Sequence, residues 1–381
     1  MKKSRLFRCL RITALMICII LSVWFGNTYV CRRWAHDDLR ITAFYLEPEC
    51  SLDVIFMGAS DVENSYSPMQ AYMEQGFTSY DYSYNGSRGD IWKYILEEVL
   101  KRQDPDLICI EINGIITEDP SINNSGNMHN VTDNMPMSWN KFHLIMDIVE
   151  KPDRIGHFLP LTLYHNQYPE RLSDINKNYR NINDLRQRGF ACFKGYAPLT
   201  MVYAPQELHD LSQDQQSLNL LPEYEETFIS FLEYCREKGI KNILFYRAPH
   251  CLEVQDDFEY RCFRRTYAAE KIIRQYGYDF INLELMPEEI GLDYQKDFYN
   301  PGHLNVYGME KTTSFLAEYI MSHYDVHTDH SAQAEAEWQH GAELYPYYIE
   351  YIRTLTDRGD GRLVYETKEV YDTIVSMQKN Q

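Results

Sequence analysis

Short apolar runs alternate with amphipathic stretches along most of this chain. LDVIFMG (52–58), YDYSYNG (80–86), DLICIEING (106–114), KNILFYRAP (241–249) and YDFINL (278–283) are brief and apolar, and most are bounded by Gly, Pro, Asn or Asp. Runs of that length predict buried parallel strands. Between them the period changes to that of a helix. SPMQAYMEQG (67–76) offers Ser67 as N-cap, Pro68 at the first helical position and Gly76 as C-cap. DIWKYILEEVLKRQ (90–103) puts Ile91, Tyr94, Ile95 and Val99 on one face. Further helices are expected over 221–239, 258–277 and from Val306 to about His323. Strands alternating with helices predict an α/β protein, a three-layer α/β/α sandwich around a parallel sheet.

Two regions break the rhythm. From about 115 to 221 periodicity weakens, and NNSGN, several prolines and HFLPLTLYHNQYPERL read as a mainly helical insertion. Beyond 325 the chain is acidic, then aromatic, and is expected to be helical from Ala332. At the other end, Ile12 to Cys31 holds twenty residues without a charge, the length a bilayer core of roughly 30 Å demands. Lys2, Lys3, Arg5, Arg8 and Arg11 precede it, and only Arg32 and Arg33 follow closely. That asymmetry predicts a single-pass signal anchor with the N-terminus in the cytoplasm and the remainder extracytoplasmic. A cleaved leader is the competing reading, although no A-x-A site follows the span. The expected layout is therefore a basic tail (1–11), an anchor (12–31), an α/β domain (32–324) and a helical extension (325–381).

Composition narrows the function. The net charge is −19, and the 37 basic residues cluster only at the N-terminus, which argues against nucleic-acid binding. A P-loop, GxGxxG and HExxH are all missing from the sequence, so no cofactor is called for. The cysteines outside the anchor show no CxxC pair; Cys251 and Cys262 could bridge in an oxidising compartment. Asp325, His327, Asp329 and His330 form a DVHTDH string better read as a solvated turn than as a metal site.

In open α/β sheets ligands gather at the carboxyl ends of the strands. There this chain places Ser60 in FMGAS, Gly86 in YNGSRGD, Asn113 in EING and, in a turn before the last helix, His303 in NPGHLN. A serine needs an imidazole to take its proton, and the imidazole needs a group to hold its tautomer. Asn300 lies three residues before His303 and Asp297 six before it; either side chain could face the ring. The G-x-S-x-G elbow of α/β-hydrolases is missing, because Val62 occupies its second glycine position. His165 and Arg171 in the insertion are weaker candidates for lining a substrate cleft, and the 31 tyrosines offer surfaces on which sugars could stack.

Together these motifs resemble the SGNH hydrolase superfamily, the GDSL-type esterases and acyltransferases, over Asp53 to about His323 without the insertion. The resemblance implies a flavodoxin-like sheet, Ser60 as nucleophile, and His303 as base. It also implies an oxyanion hole made by Gly86, Asn113 and the Ser60 backbone N–H. Its nearest branch is the membrane-anchored one acting on envelope polymers, of DltD-like and AlgX- or AlgJ-like type, some of which partner membrane-bound O-acyltransferases. The implied function is an extracytoplasmic esterase or O-acyltransferase acting on acyl esters of an envelope glycan through a serine acyl-enzyme. The alternative is a catalytically reduced subunit that binds polymer within an acylation complex. Two departures stand out: Ala59 precedes the serine where the family commonly has Asp, with Asp61 following it, and Asn300 takes the place of the triad Asp.

Overall fold

Five apolar runs pair into one parallel sheet in the order 2-1-3-4-5: β1 (Val54–Met57), β2 (Ser79–Asp81), β3 (Leu107–Glu111), β4 (Ile243–Arg247) and β5 (Asp279–Asn282). The structure is a computed structural model, and it describes residues 2–31, 37–118, 125–163, 172–187, 191–211 and 216–380. Each strand is shorter than its apolar run, because the ends of the runs turn away to form the loops that carry polar residues. Successive residues face opposite sides of the sheet. Ile55, Met57, Ile108, Ile110 and Phe245 enter one apolar cluster, whereas Val54, Phe56, Cys109, Leu244 and Tyr246 enter another. Both faces are covered, as continuous hydrophobic strands require.

The helices fall where the pattern put them. A short α2 (Ser60–Ser65) follows β1 directly, and α3 (Pro68–Gln75) ends at Gly76 in the left-handed conformation, φ 86°. Ser67 holds the N-cap position of α3 without a side-chain cap bond; its backbone N–H instead donates to Thr313 Oγ1 at 2.9 Å. Then come α4 (Trp92–Leu100), α5 (Pro222–Lys238), α6 (Asp257–Gln275) and α7 (Val306–His323). Trp92, Leu96, Phe231 and Cys235 cover the first face, and Val62, Leu316 and Ile320 the second. The final long helix, α8 (Ala332–Asp357), does not stand apart. Its Trp338, Leu344 and Tyr348 belong to the first cluster, and Trp338 lies 4.9 Å from the ring of Tyr72 on α3.

Among the described residues of the insertion, helices run at Ser125–Thr132, Trp139–Ile148, Arg154–Phe158, Pro160–Leu163 and Ile175–Arg186, whereas 191–211 and 216–221 carry none. At the N-terminus, α1 (Lys2–Phe25) continues into a wide turn, Gly26–Cys31. Together they form one helix long and apolar enough to cross a membrane. The histidines of the DVHTDH string each bond an aspartate elsewhere in the domain, His327 Nδ1 with Asp106 at 2.9 Å and His330 Nε2 with Asp53 at 2.7 Å. Cys251 and Cys262 are buried free thiols rather than a bridge.

Candidate functional site

The carboxyl edge of the sheet carries a cleft of about 330 Å³ whose walls include Ser60, Gly86, Asn113 and His303. Ser60 opens α2 immediately after β1. Its exit depends on Gly58, whose φ of +150° and distance of 2.9 Å from a built Cβ to Glu111 Cβ and Val62 Cγ2 leave no room for a side chain. Gly86 takes a left-handed φ of 63° in the loop after β2. That loop and the one after β3 interlock through glycines. A Cβ on Gly114 would stand 2.4 Å from the Ser87 carbonyl, and one on Gly89 would stand 2.4 Å from Ile115 Cγ2. Only this closeness brings Gly86 and Asn113 to one cleft.

His303 is delivered by a feature that was expected only as a turn. β6 (Phe298–Asn300) and β7 (His303–Leu304) form a small antiparallel hairpin in which Asn300 pairs with His303 across Pro301–Gly302. Asn305 locks it. Its amide donates to the carbonyls of Met201, Lys296 and Phe298, and its oxygen caps α7 at Tyr307 and Gly308. A bond from Cys251 N–H to the Pro301 carbonyl, 2.7 Å, fastens the turn to the loop after β4.

The geometry at the ring is specific. Ser60 Oγ lies 2.9 Å from His303 Nε2, and His303 Nδ1 lies 3.0 Å from Asn300 Oδ1. The same Oδ1 accepts the Gly302 N–H at 3.0 Å. A backbone N–H can only donate, so the atom it meets is the amide oxygen, and the orientation of Asn300 is thereby fixed. His303 must then carry its proton on Nδ1, which leaves Nε2 bare to accept from the serine hydroxyl. Desolvation of the partly buried ring, helped by the His250 and Arg247 charges and opposed by Asp61, keeps the His303 pKa below its ordinary 6.5. At neutral pH the imidazole is thus in the form a general base needs.

Asp297, the other candidate for that orienting role, is placed elsewhere. Its buried carboxylate accepts from Lys311 Nζ at 2.6 Å and from the Asp293 N–H at 2.7 Å, bracing the loop below the hairpin. The ring partner is Asn300. His165 and Arg171 lie outside the described residues.

Beneath the cleft lies a buried charge network that the sequence reading passed over. Asp61 is only 3 % exposed; its Oδ1 lies 2.9 Å from His250 Nε2 and its Oδ2 accepts from Asn113 Nδ2 at 3.0 Å. The Asn113 N–H donates to Glu111 Oε2 at 2.7 Å. Asn113 is therefore held at both ends by carboxyl groups. The other ring nitrogen of His250, Nδ1, meets Glu284 Oε1 at 3.0 Å and the Ala248 carbonyl at 2.8 Å. Arg247, fully buried, pairs with Glu284 at 3.0 Å and with Glu111 and Glu259 at 3.5 Å each.

Protonation follows from these contacts. Burial and the Arg247 charge oppose a proton on His250, but its bonds to Asp61 and Glu284 prevail and push its pKa up to about 10. The imidazolium donates from both nitrogens. Burial works against the Asp61 charge as well, yet His250 holds that carboxyl well below its usual range. Burial, with Asp61 close by, pushes Glu111 up to about 8 despite Arg247. His250 ends the run after β4, and Glu284 follows β5. Both stand at the sheet edge that singled out Ser60 and Asn113, and that position was the available signal.

A larger surface groove of about 580 Å³ lies by α7, but its cations are already engaged, Lys311 with Asp297, Arg353 with Glu310 and Lys296 over the Tyr307 ring. Among the described residues no cluster of His, Cys, Asp or Glu is arranged to hold a metal ion. No family model matches this chain, and neither a curated protein nor a solved structure matches it.

Proposed function

We propose that this chain is a membrane-anchored, SGNH-type serine esterase or O-acyltransferase acting on acyl esters of a cell-envelope glycan. The observation that carries the reading is the hydrogen-bonded series Ser60–His303–Asn300 opening onto a cleft that Gly86 and Asn113 also line. The sheet order 2-1-3-4-5 supports the flavodoxin-like topology implied by the resemblance. In this account Ser60 Oγ attacks the ester carbonyl while its proton passes to His303 Nε2. Negative charge develops on the carbonyl oxygen, where the Ser60 and Gly86 backbone N–H groups and the second hydrogen of Asn113 Nδ2 receive it. Such donors are worth ~3–4 kcal/mol each in related chemistry. His303 then returns the proton to the leaving alcohol, and the acyl-enzyme passes its acyl group to water or to a sugar hydroxyl.

Asn300 favours a second reading. An amide orients the ring but adds no negative charge to stabilise the imidazolium, which suits a subunit that holds polymer for a partner acyltransferase in the membrane. The two readings part in one assay: the purified full chain is given a simple acetyl ester with and without an oligosaccharide acceptor. Turnover that disappears in Ser60→Ala supports the enzyme, and acyl transfer to the oligosaccharide marks it as a transferase. Oligosaccharide binding without turnover supports the scaffold.

A further inference from the structure

The insertion carries exposed apolar side chains on short helices, the last of which meets the end of the apolar N-terminal helix. Trp139 is 77 % exposed, Met137 66 % and Ile155 60 %, with Phe142 and Leu159 also open. These are not scattered. Trp139 lies 5.7 Å from the Phe142 ring, and Phe142 lies 5.8 Å from Phe158. Phe158 shares a helix with Ile155, one turn away. The next short helix, Pro160–Leu163, meets the N-terminal helix directly: Leu161 N–H donates to Asn27 Oδ1 at 3.0 Å, and a Cβ on Gly26 would stand 3.2 Å from Leu161. Asn178 ties down the same turn from another side, donating to the Tyr29 carbonyl at 3.0 Å.

From this placement we infer that the face formed by Met137, Trp139, Phe142, Ile155 and Leu159 rests in the headgroup layer of the bilayer that the N-terminal helix crosses. The inference depends on the anchor part of the function proposed above. At 1.5 Å per residue the charge-free segment Ile12–Cys31 spans about 30 Å, the whole hydrocarbon thickness. Gly26 and Asn27 lie near the C-terminal end of that segment, so whatever touches them stands at the membrane boundary. The end of the helix packs on the domain: Gly26, Tyr29, Val30 and Cys31 are buried, Tyr29 in a cluster with Leu39, Ile182 and Leu185. The apolar window of the helix itself is left wholly uncovered, as lipid contact requires. A tryptophan among aliphatic side chains is the composition that settles at the interface, and a soluble surface seldom shows so many large apolar groups together. With a net charge of −19, the protein would be drawn there by apolar burial rather than by attraction to anionic lipid.

The contact also bears on the cleft. Asn127, which lines it, sits on the helix Ser125–Thr132. His129 of that helix stacks on His157 of the Arg154–Phe158 helix at 3.8 Å, and Thr132 bonds His157 at 2.8 Å. The surface that lies on lipid is thus joined through His157 to one wall of the site.

The test uses the full chain carrying Trp24→Phe and Trp34→Phe, which leaves Trp139, Trp92 and Trp338 of the five tryptophans, reconstituted in phosphatidylethanolamine–phosphatidylglycerol vesicles whose acyl chains are brominated near the headgroup. Trp92 and Trp338 are buried and serve as the unquenched background. The expected result is that the chain floats with the vesicles and that bromine quenches a part of the emission which is lost when Trp139→Phe is added. Ile155→Ser should reduce that quenching while leaving flotation intact. Flotation with equal quenching in the presence and absence of Trp139 overturns the surface and leaves the anchor standing. Shielding of Trp139 that grows with protein density and ignores bromine assigns the face to a second copy and also overturns it. Failure to float overturns the anchor and the surface together.

Discussion

Asn300 Oδ1 accepts from His303 Nδ1 at 3.0 Å, in the position where a serine triad usually places a carboxylate. The oxygen is aimed by a second bond from the Gly302 N–H, so the ring is held in the base-ready tautomer by a neutral group. Orientation and charge, which one carboxylate usually supplies together, are separated here.

Asn300→Asp should therefore gain activity. The side chains have the same shape, and an aspartate oxygen can keep both bonds. A serine protease loses ~10⁴ in turnover when its triad Asp becomes Asn, so the reverse change here is expected to raise kcat at least ~10-fold. Steady-state kinetics on an acetyl ester checks this; an unchanged or lower kcat in a folded variant would show that imidazolium charge is not limiting.

The pH profile follows from the desolvation of the same ring. Because His303 is held below its ordinary 6.5, kcat/KM should stay level as pH falls through 6.5 and decline only in more acid solution. In Asn300→Asp the new negative charge favours the imidazolium, so the acid limb should move up.

Asp61 links Asn113 to His250 beneath the cleft, and Asp61→Asn should disturb both. Removing one partner of a buried ion pair costs ~3–5 kcal/mol of stability, measurable by urea unfolding. If Asn113 is an oxyanion donor, loss of its orientation should lower kcat by up to ~10² with little change in KM.

The same network sets how stability depends on pH. Glu111 and His250 both keep a proton in the folded state that the unfolded chain would already have released. Stability should fall as pH rises from 4.5 to about 8 through Glu111, and from 6.5 to about 10 through His250. Unfolding midpoints measured from pH 5 to 10 check the slope, and His250→Gln should flatten its alkaline part.

Gly114→Ala tests the interlocked loops. The new methyl would meet the Ser87 carbonyl at 2.4 Å and push apart the loops bearing Gly86 and Asn113. Overpacking of this kind costs ~1–3 kcal/mol. Turnover should fall further than stability alone explains, read as a lower kcat under conditions where circular dichroism shows the variant folded.

The alternation of strands and helices was legible because buried parallel strands are continuously apolar and their helices carry Pro and Gly at the ends, as Pro222 and Gly239 do for α5. Helices in the insertion were legible only as a tendency. Ile175–Arg186, reading INKNYRNINDLR, buries just Asn178, Ile182 and Leu185, too sparse a stripe to stand out. Ser60, Gly86, Asn113 and His303 could be singled out because Ser60 and Asn113 directly follow strand runs, Gly86 lies in the loop after β2 and His303 lies just before α7. The choice between Asn300 and Asp297 could not, since both precede His303 closely and only the hairpin shows which one reaches its ring. The Asp61–His250 bond was hidden by 189 residues of separation, although His250 stands at the end of its own strand run.

The central claim is that Ser60 is an activated nucleophile. Treating the folded full chain with a serine-directed fluorophosphonate at neutral pH and locating the adduct by peptide mass spectrometry tests it most directly. The account predicts an adduct on Ser60 that is lost in Ser60→Ala, strongly slowed in His303→Ala and faster in Asn300→Asp. An unmodified Ser60 in the folded protein, with the hydroxyl 2.9 Å from His303 Nε2, would contradict it.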